Sequence, residues 1–123
     1  MLLEKSSEFI YNSSIGIHAV SPEGIILYAN PFELEMLGYS EDEYIGHHTS
    51  EFQLDKETLK DMFKRLNKFQ VLKNYPAKVQ GKKSIIYVLY NSSVYQENNK
   101  FIHTRCYGCQ IESYSYDIFK NHI

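Results

Sequence analysis

Two thiols three residues apart, Cys106 and Cys109, stand in the stretch "FIHTRCYGCQI". A C-x-x-C pair can supply half of a structural zinc site, but the ion takes four ligands and the chain holds no second pair. Such a pair can also work as a redox dithiol when the first thiol is activated at a helix N-terminus. The residues around it alternate like a strand, which sends side chains three apart to opposite faces. The reading is two structural cysteines, with a thiol-redox switch at Cys106/Cys109 as the alternative. His47 and His48 are the nearest thing to a metal cluster. Adjacent residues rarely ligate one ion together, so they read as an exposed loop pair and no metal site is assigned. No serine or cysteine is locally flanked by a histidine and an acid in a defensible dyad, so no catalytic residue is assigned and the chain is read as non-enzymatic.

Asn30 could serve chemistry or only geometry. It lies in "YANPFELEMLGYSEDEYIG", between an apolar run and a helical one. Asparagine is a preferred N-cap because its side-chain oxygen accepts from an orphan amide of the first turn. Pro31 suits the next position, where a missing N–H costs nothing. A helix over 31–37 then stops at Gly38, a residue suited to a left-handed end. Ser40 and Glu43 make a capping box for a short second helix that Gly46 closes. On this reading Asn30→Ala costs about 1 kcal/mol and Asn30→Asp much less.

The elements around these residues follow from periodicity. Residues 2–13 place Leu2, Leu3, Phe9 and Ile10 on one side of a short helix that needs a partner surface. "IGIHAV" and "IILYA" alternate as strands around a Ser21-Pro22-Glu23-Gly24 turn. Asp55 caps a helix over 56–68, with Leu59, Met62, Phe63, Leu66 and Phe69 on one stripe and Lys64, Arg65 and Lys68 near its negative end. From residue 71 the period changes to two. "VLKNYPAKVQ" is a strand whose Pro76 assigns it to a sheet edge, since proline donates no ladder bond. "SIIYVLYNSSVY" and 101–111 are two further strands, joined near Glu97-Asn98-Asn99. Two strands before a helical insert and three after it give an α+β fold with an antiparallel sheet.

Composition excludes several classes. A chain of 123 residues with 43% hydrophobic and 23% charged residues is one ordinary globular domain. A net charge of −2 argues against nucleic-acid binding. Lys60, Lys64, Arg65 and Lys68 are spaced as a solvated helix face. No apolar run is long enough to span a membrane. Glu4, Lys5 and two adjacent serines rule out a signal-peptide core in residues 1–14, which with the reduced-looking thiols points to the cytoplasm. Eleven Tyr, seven Phe and no Trp suit a sheet surface that is partly covered.

Over about residues 8–112 the sequence resembles the PAS domain family. The words that carry the likeness are "SPEGIILYANPFELEMLGYSEDEYIG" and later "FIHTRCYGCQI". They match a glycine turn, a strand ending in Ala-Asn, a helix ending in Leu-Gly-Tyr-Ser, and an acidic pair before hydrophobic-Ile-Gly. The resemblance implies a five-stranded antiparallel sheet, B-A-I-H-G in the family's lettering, with helices enclosing a cavity against one face and an N-terminal helix beside it. It divides the chain into a flanking helix at 1–14, a PAS domain at 15–112 and a tail at 113–123 toward an output domain. Two positions depart from the family. Its last strand commonly ends Asp-Ile-Thr, where Gln110, Ile111 and Glu112 stand here. Its flavin branch carries a reactive cysteine in a segment that reads "HHTSEFQLDK" here, without one. Haem-binding members place an axial histidine on the long helix, which here has Met62 and no histidine. Haem and flavin are therefore disfavoured, and the cofactor is left unknown.

The implied function is a cytoplasmic sensory module that binds a small molecule or dimerises, and relays the result to an attached output such as a histidine kinase or a cyclic-dinucleotide enzyme. The alternative is a ligand-free dimerisation module. Strand parity, taken on the last strand from the family, gives an inward set of Ile17, Tyr28, Tyr75, Ala77, Val79, Val88, Tyr90, Ser92, Ile102, Thr104 and Cys106. With Asn30 and the helix residues Phe63 and Leu66, the candidate pocket is Ile17, Tyr28, Asn30, Phe63, Leu66, Tyr75, Val88, Tyr90, Ser92, Thr104 and Cys106. Tyr90, Ser92 and Thr104 bring hydroxyls into an apolar interior, where they require partners. Leu2, Leu3, Phe9 and Ile10 are the candidate interface of a homodimer.

Overall fold

The computed structural model describes residues 2–123. Its elements run α1 (Ser6–Tyr11), β1 (Gly16–Val20), β2 (Ile26–Ala29), α2 (Pro31–Leu37), α3 (Glu41–Tyr44), a 3-10 turn (Thr49–Glu51), α4 (Lys56–Asn67), β3 (Leu72–Gln80), β4 (Ile85–Glu97), β5 (Lys100–Ile111) and α5 (Ser113–Lys120). The local signals behave as their chemistry dictates. Asn30 accepts from the Glu33 amide, Gly38 ends α2 at φ 85°, and Ser40 with Glu43 closes a reciprocal box. Asp55 accepts from the amides of Glu57 and Thr58 at the start of α4.

The two terminal segments differ from expectation. The first helix covers Ser6–Tyr11 rather than 2–13, has no side-chain cap and buries none of its residues. A helix of that length gains its stability from packing, so Leu2 and Leu3 lie ahead of it and exposed. The tail read only as a linker forms α5, which lies against β3 and β4. Tyr116 anchors it, buried beside the Tyr87 ring at 5.4 Å and under the Lys78 ammonium at 5.2 Å.

All sheet pairings are antiparallel, in the order β2-β1-β5-β4-β3. The strand carrying Pro76 is an edge strand, as its missing donor requires. Asn98 and Asn99, at φ 51° and 65°, make the two-residue turn between β4 and β5. On β3 and β4 the inward residues are Tyr75, Ala77, Val79, Val88, Tyr90 and Ser92, as alternation predicts, and all are buried.

On β1 and β2 the parity is the reverse of the expected one. Gly16, His18 and Val20 face the core, so Ile17 lies on the opposite side of the sheet. Tyr28 pairs with Ala19 and shares that outer face, because a bulge at Leu27 resets the strand. Ile102 is also displaced. Tyr95 pairs with His103 but Gln96 with Phe101, so Phe101 packs on the core and Ile102 is squeezed outward.

Candidate functional site

The inner sheet face and α4 do not close completely on one another. Between them lies a cavity of about 40 Å³. Its floor is His18 and Val20 of β1, Tyr90 and Ser92 of β4, and Thr104 and Cys106 of β5. Its roof is Leu59, Met62, Phe63 and Leu66 of α4, and Thr49 and Gln53 close one side. By this measure a water needs roughly 10–15 Å³, so the space holds two or three water-sized groups.

Most of the wall is apolar, yet three side-chain oxygens on it are buried without a hydrogen-bond partner: Ser92 Oγ, Thr49 Oγ1 and Gln53 Oε1. Ser92 is only 3% exposed. A desolvated hydroxyl left unpaired costs about 1–3 kcal/mol, so it marks a place where something polar belongs. Thr104 is in the opposite state, its Oγ1 accepting from the Val20 amide at 2.9 Å.

Beside the cavity runs a buried ionisable chain that the sequence reading missed. Glu33, in the first turn of α2, is 0% exposed and enters the core. Its Oε2 accepts from the Tyr44 hydroxyl at 2.8 Å and lies 3.0 Å from His18 Nδ1, at ion-pair distance though off the axis of a hydrogen bond. Burial alone would lower the His18 pKa, but negative charge at Cys106 and Glu33 outweighs it and holds the imidazole well above its ordinary value. Burial likewise pushes the Cys106 thiol up, and the facing imidazole brings it below its ordinary value. Tyr44 and Tyr90 are both pushed far up, first by burial and then by the Glu33 carboxylate. Tyr44 is wedged among Phe52 at 4.9 Å and Tyr39 at 6.0 Å, which fixes its hydroxyl on Glu33. One residue makes this approach possible. A Cβ at Gly16 would strike Glu33 Oε1 and crowd the Met36 methyl and the Gly108 carbonyl at 3.2 Å.

Of the expected pocket residues, Phe63, Leu66, Tyr90, Ser92, Thr104 and Cys106 line the cavity together. Tyr75 and Val88 are buried in the core beyond it, and the Tyr75 hydroxyl donates to Asp61 at 2.6 Å. Asn30 is fully buried but faces no cavity. Its Oδ1 accepts from the amides of Ile17 at 2.9 Å and Glu33 at 3.0 Å, while its Nδ2 donates to the carbonyls of Ile10 at 3.1 Å and Ile15 at 3.0 Å. It caps α2 and clamps that helix to β1 and the N-terminal segment. Ile17 and Tyr28 line a separate outer groove of about 600 Å³ with Ile10, Leu27 and Tyr107. His48, read as an exposed loop residue, is half-buried and pins the hairpin turn, its Nε2 lying 2.9 Å from the Glu23 carbonyl. Among the described residues no group of three His, Cys, Asp or Glu side chains could hold a metal ion. His18 carried one signal in the sequence, a polar residue alternating with Ile17 and Ala19. Glu33 carried none, since an acid in a helix's first turn is ordinary.

The sequence pattern of the PAS fold matches residues 4–106. The chain belongs to the PAS family. No curated protein sequence matches it. Among solved structures, this PAS domain is similar to the PAS domain of an HTR-like protein from Haloarcula marismortui, at 20% identity and a TM-score of 0.71, covering 84% of this chain and 86% of that one. It is similar to an RNA-binding light-oxygen-voltage receptor at 13% identity and a TM-score of 0.79, over 94% of this chain and 35% of the receptor. The Drosophila melanogaster Cycle PAS-B domain with bound ethylene glycol matches at 14% identity and a TM-score of 0.71, over 78% of this chain and 99% of that one. At these identities the likeness shows the fold alone. The five-stranded α+β fold expected from the sequence is present. PAS membership carries a sensory or regulatory role in general. No helix among the described residues is long and apolar enough to cross a membrane.

Proposed function

We propose that this PAS domain senses a small polar molecule in its central cavity and relays occupancy to an attached output domain. The observation that carries the reading is the unpaired Ser92 hydroxyl, which with Thr49 Oγ1 and Gln53 Oε1 gives a cavity of about 40 Å³ unmet hydrogen-bonding capacity. The ligand class is a molecule of a few heavy atoms with hydroxyl-like donors. Ethylene glycol, bound in the Cycle PAS-B structure, is a probe of suitable size. The domain works without catalysis, in the cytoplasm, and as a homodimer through the exposed apolar side chains Leu2, Leu3, Phe9 and Ile10. Residues 113–123 lead toward an output such as a histidine kinase or a cyclic-dinucleotide enzyme.

The test is an NMR titration of the full chain with ethylene glycol, beside a native mass spectrum and an absorption spectrum of the purified protein. Shifts confined to Thr49, Gln53, Ser92, Thr104 and Cys106, and weakened by Ser92→Ala, support the reading. Their absence, with no retained mass and no chromophore, refutes it. Sedimentation of the full chain against one starting at Ser14 tests the dimer. A full chain that stays monomeric at high concentration removes that part of the proposal.

A further inference from the structure

We propose that Cys106 is a sensing thiol for hydroperoxides, oxidised to its sulfenic acid inside the central cavity. This rests on the cavity being the sensory site and names the class of molecule that reaches it. The antiparallel register pairs His18 directly with Cys106. Both side chains are buried, face inward and line the same cavity, so an imidazole stands beside a thiol. Glu33, without solvent exposure, lies at ion-pair distance, 3.0 Å from His18 Nδ1. A nucleophile beside a base, with an acid at ion-pair distance behind that base, is an arrangement that activates a side chain for attack. The sequence hid it, because the three residues come from β5, β1 and α2.

The rest of the pocket suits the same chemistry. Thr104 Oγ1 lies 3.1 Å from Cys106 Sγ. The thiol donates to that oxygen, and a thiolate would accept from the same hydroxyl after a rotation about its C–O bond. The depressed thiol and raised imidazole both favour the charged pair. Ser92, buried and unpartnered on the same wall, can donate to a peroxide oxygen or to the product's hydroxyl oxygen. Size then selects the electrophile. A cavity of about 40 Å³ admits the two heavy atoms of hydrogen peroxide and excludes thiol reagents of ordinary bulk.

In the reaction the Cys106 thiolate attacks one peroxide oxygen, an S–O bond forms and the O–O bond breaks. Sulfur loses two electrons and the peroxide gains them. The departing hydroxide takes the proton of the His18 imidazolium and leaves as water. Cys109 cannot resolve the product, since it lies exposed on the opposite face of β5. Return to the thiol therefore consumes two external thiols, which leave as their disulfide together with one water.

The experiment treats the full chain with hydrogen peroxide and a cyclic 1,3-dione that traps sulfenic acids, then maps both cysteines by peptide mass spectrometry. Cys106 is expected to be labelled at least about tenfold faster than Cys109, the advantage of a thiol whose ionisation the facing imidazole favours. A bulky maleimide should show the reverse order. His18→Gln should slow Cys106 by about tenfold and leave Cys109 unchanged. Labelling of Cys109 first, or a folded His18→Gln protein that reacts at the parent rate, overturns the proposal. If that variant does not fold, the order of labelling in the parent decides. Ethylene glycol shifts that persist in a protein whose Cys106 stays reduced under peroxide refute the peroxide chemistry and leave the sensory reading standing.

Discussion

Replacing Asn30 by aspartate separates a helix cap from a clamp. As a cap alone, the side chain needs only an acceptor oxygen, and aspartate supplies one at almost no cost. The structure gives Asn30 two further duties, because Nδ2 donates to the carbonyls of Ile10 and Ile15. A carboxylate has no proton for either bond and places a buried negative charge against two carbonyl oxygens. Asn30→Ala loses the cap, about 1 kcal/mol, and leaves the Ile17 amide and Ile15 carbonyl short of partners at about 1 kcal/mol each. The total is about 3 kcal/mol, with the Ile10 carbonyl at the exposed helix recovering water. Asn30→Asp keeps both accepted bonds but should still lose about 2 kcal/mol at neutral pH. Its deficit should shrink in acid. The folded state holds the new carboxyl protonated, above the ordinary value near 3.9, so stability falls as pH rises from there through the folded value. Urea melts of parent and both variants at pH 7.5 and 4.5 measure this. An aspartate variant as stable as the parent at pH 7.5 would refute the clamp and return Asn30 to a simple cap.

Two further outcomes follow from ion and hydrogen-bond geometry. Lys82 Nζ at 2.7 Å and the Ser40 amide at 2.9 Å hold the Glu43 pKa down to about 2. The stability this pair gives is present above the unfolded value near 4.3 and is lost as pH falls through about 2. A carboxyl NMR titration of Glu43 should show that midpoint, and Lys82→Ala should raise it; a midpoint near 4 in the parent contradicts the geometry. Tyr44→Phe keeps the contacts with Tyr39 and Phe52 but strips a hydrogen bond from a buried carboxylate, for a loss of about 2 kcal/mol in urea melts. A loss below about 0.5 kcal/mol would contradict the Tyr44–Glu33 hydrogen bond.

What the sequence made legible is local chemistry. Asn30-Pro31, Ser40 with Glu43, and Asp55 each set a helix start within four residues, so caps and helix bounds could be read without tertiary knowledge. The long strands β3 and β4 repeat their alternation often enough to fix which face is buried. β1 has five residues and apolar side chains on both faces, so hydrophobicity alone oriented it backwards. Ile17 goes outward beside the outer groove, while His18 goes inward because an acid fifteen residues later comes to meet it. That compensation is nonlocal and leaves no periodicity to detect. Bulges at Leu27 and Ile102 reset parity for the same reason. Part of the pocket was visible from strand parity and the α4 stripe, whereas Thr49 and Gln53 arrive from a loop whose path no local rule supplies.

The missing side chain at Gly16 also sets how the family can vary. The carboxylate of Glu33 occupies the volume that a Cβ at position 16 would claim. The two positions therefore form one heritable unit, although they lie on different elements. A lineage that acquires alanine at 16 must shorten or displace its acid at 33, and the imidazole at 18 then loses its counterion. Relatives aligned at these three positions should divide into those with glycine, histidine and an acid together and those with none of the combination. A family in which alanine at 16 coexists freely with glutamate at 33 and histidine at 18 would show that the core has another way to seat the charge.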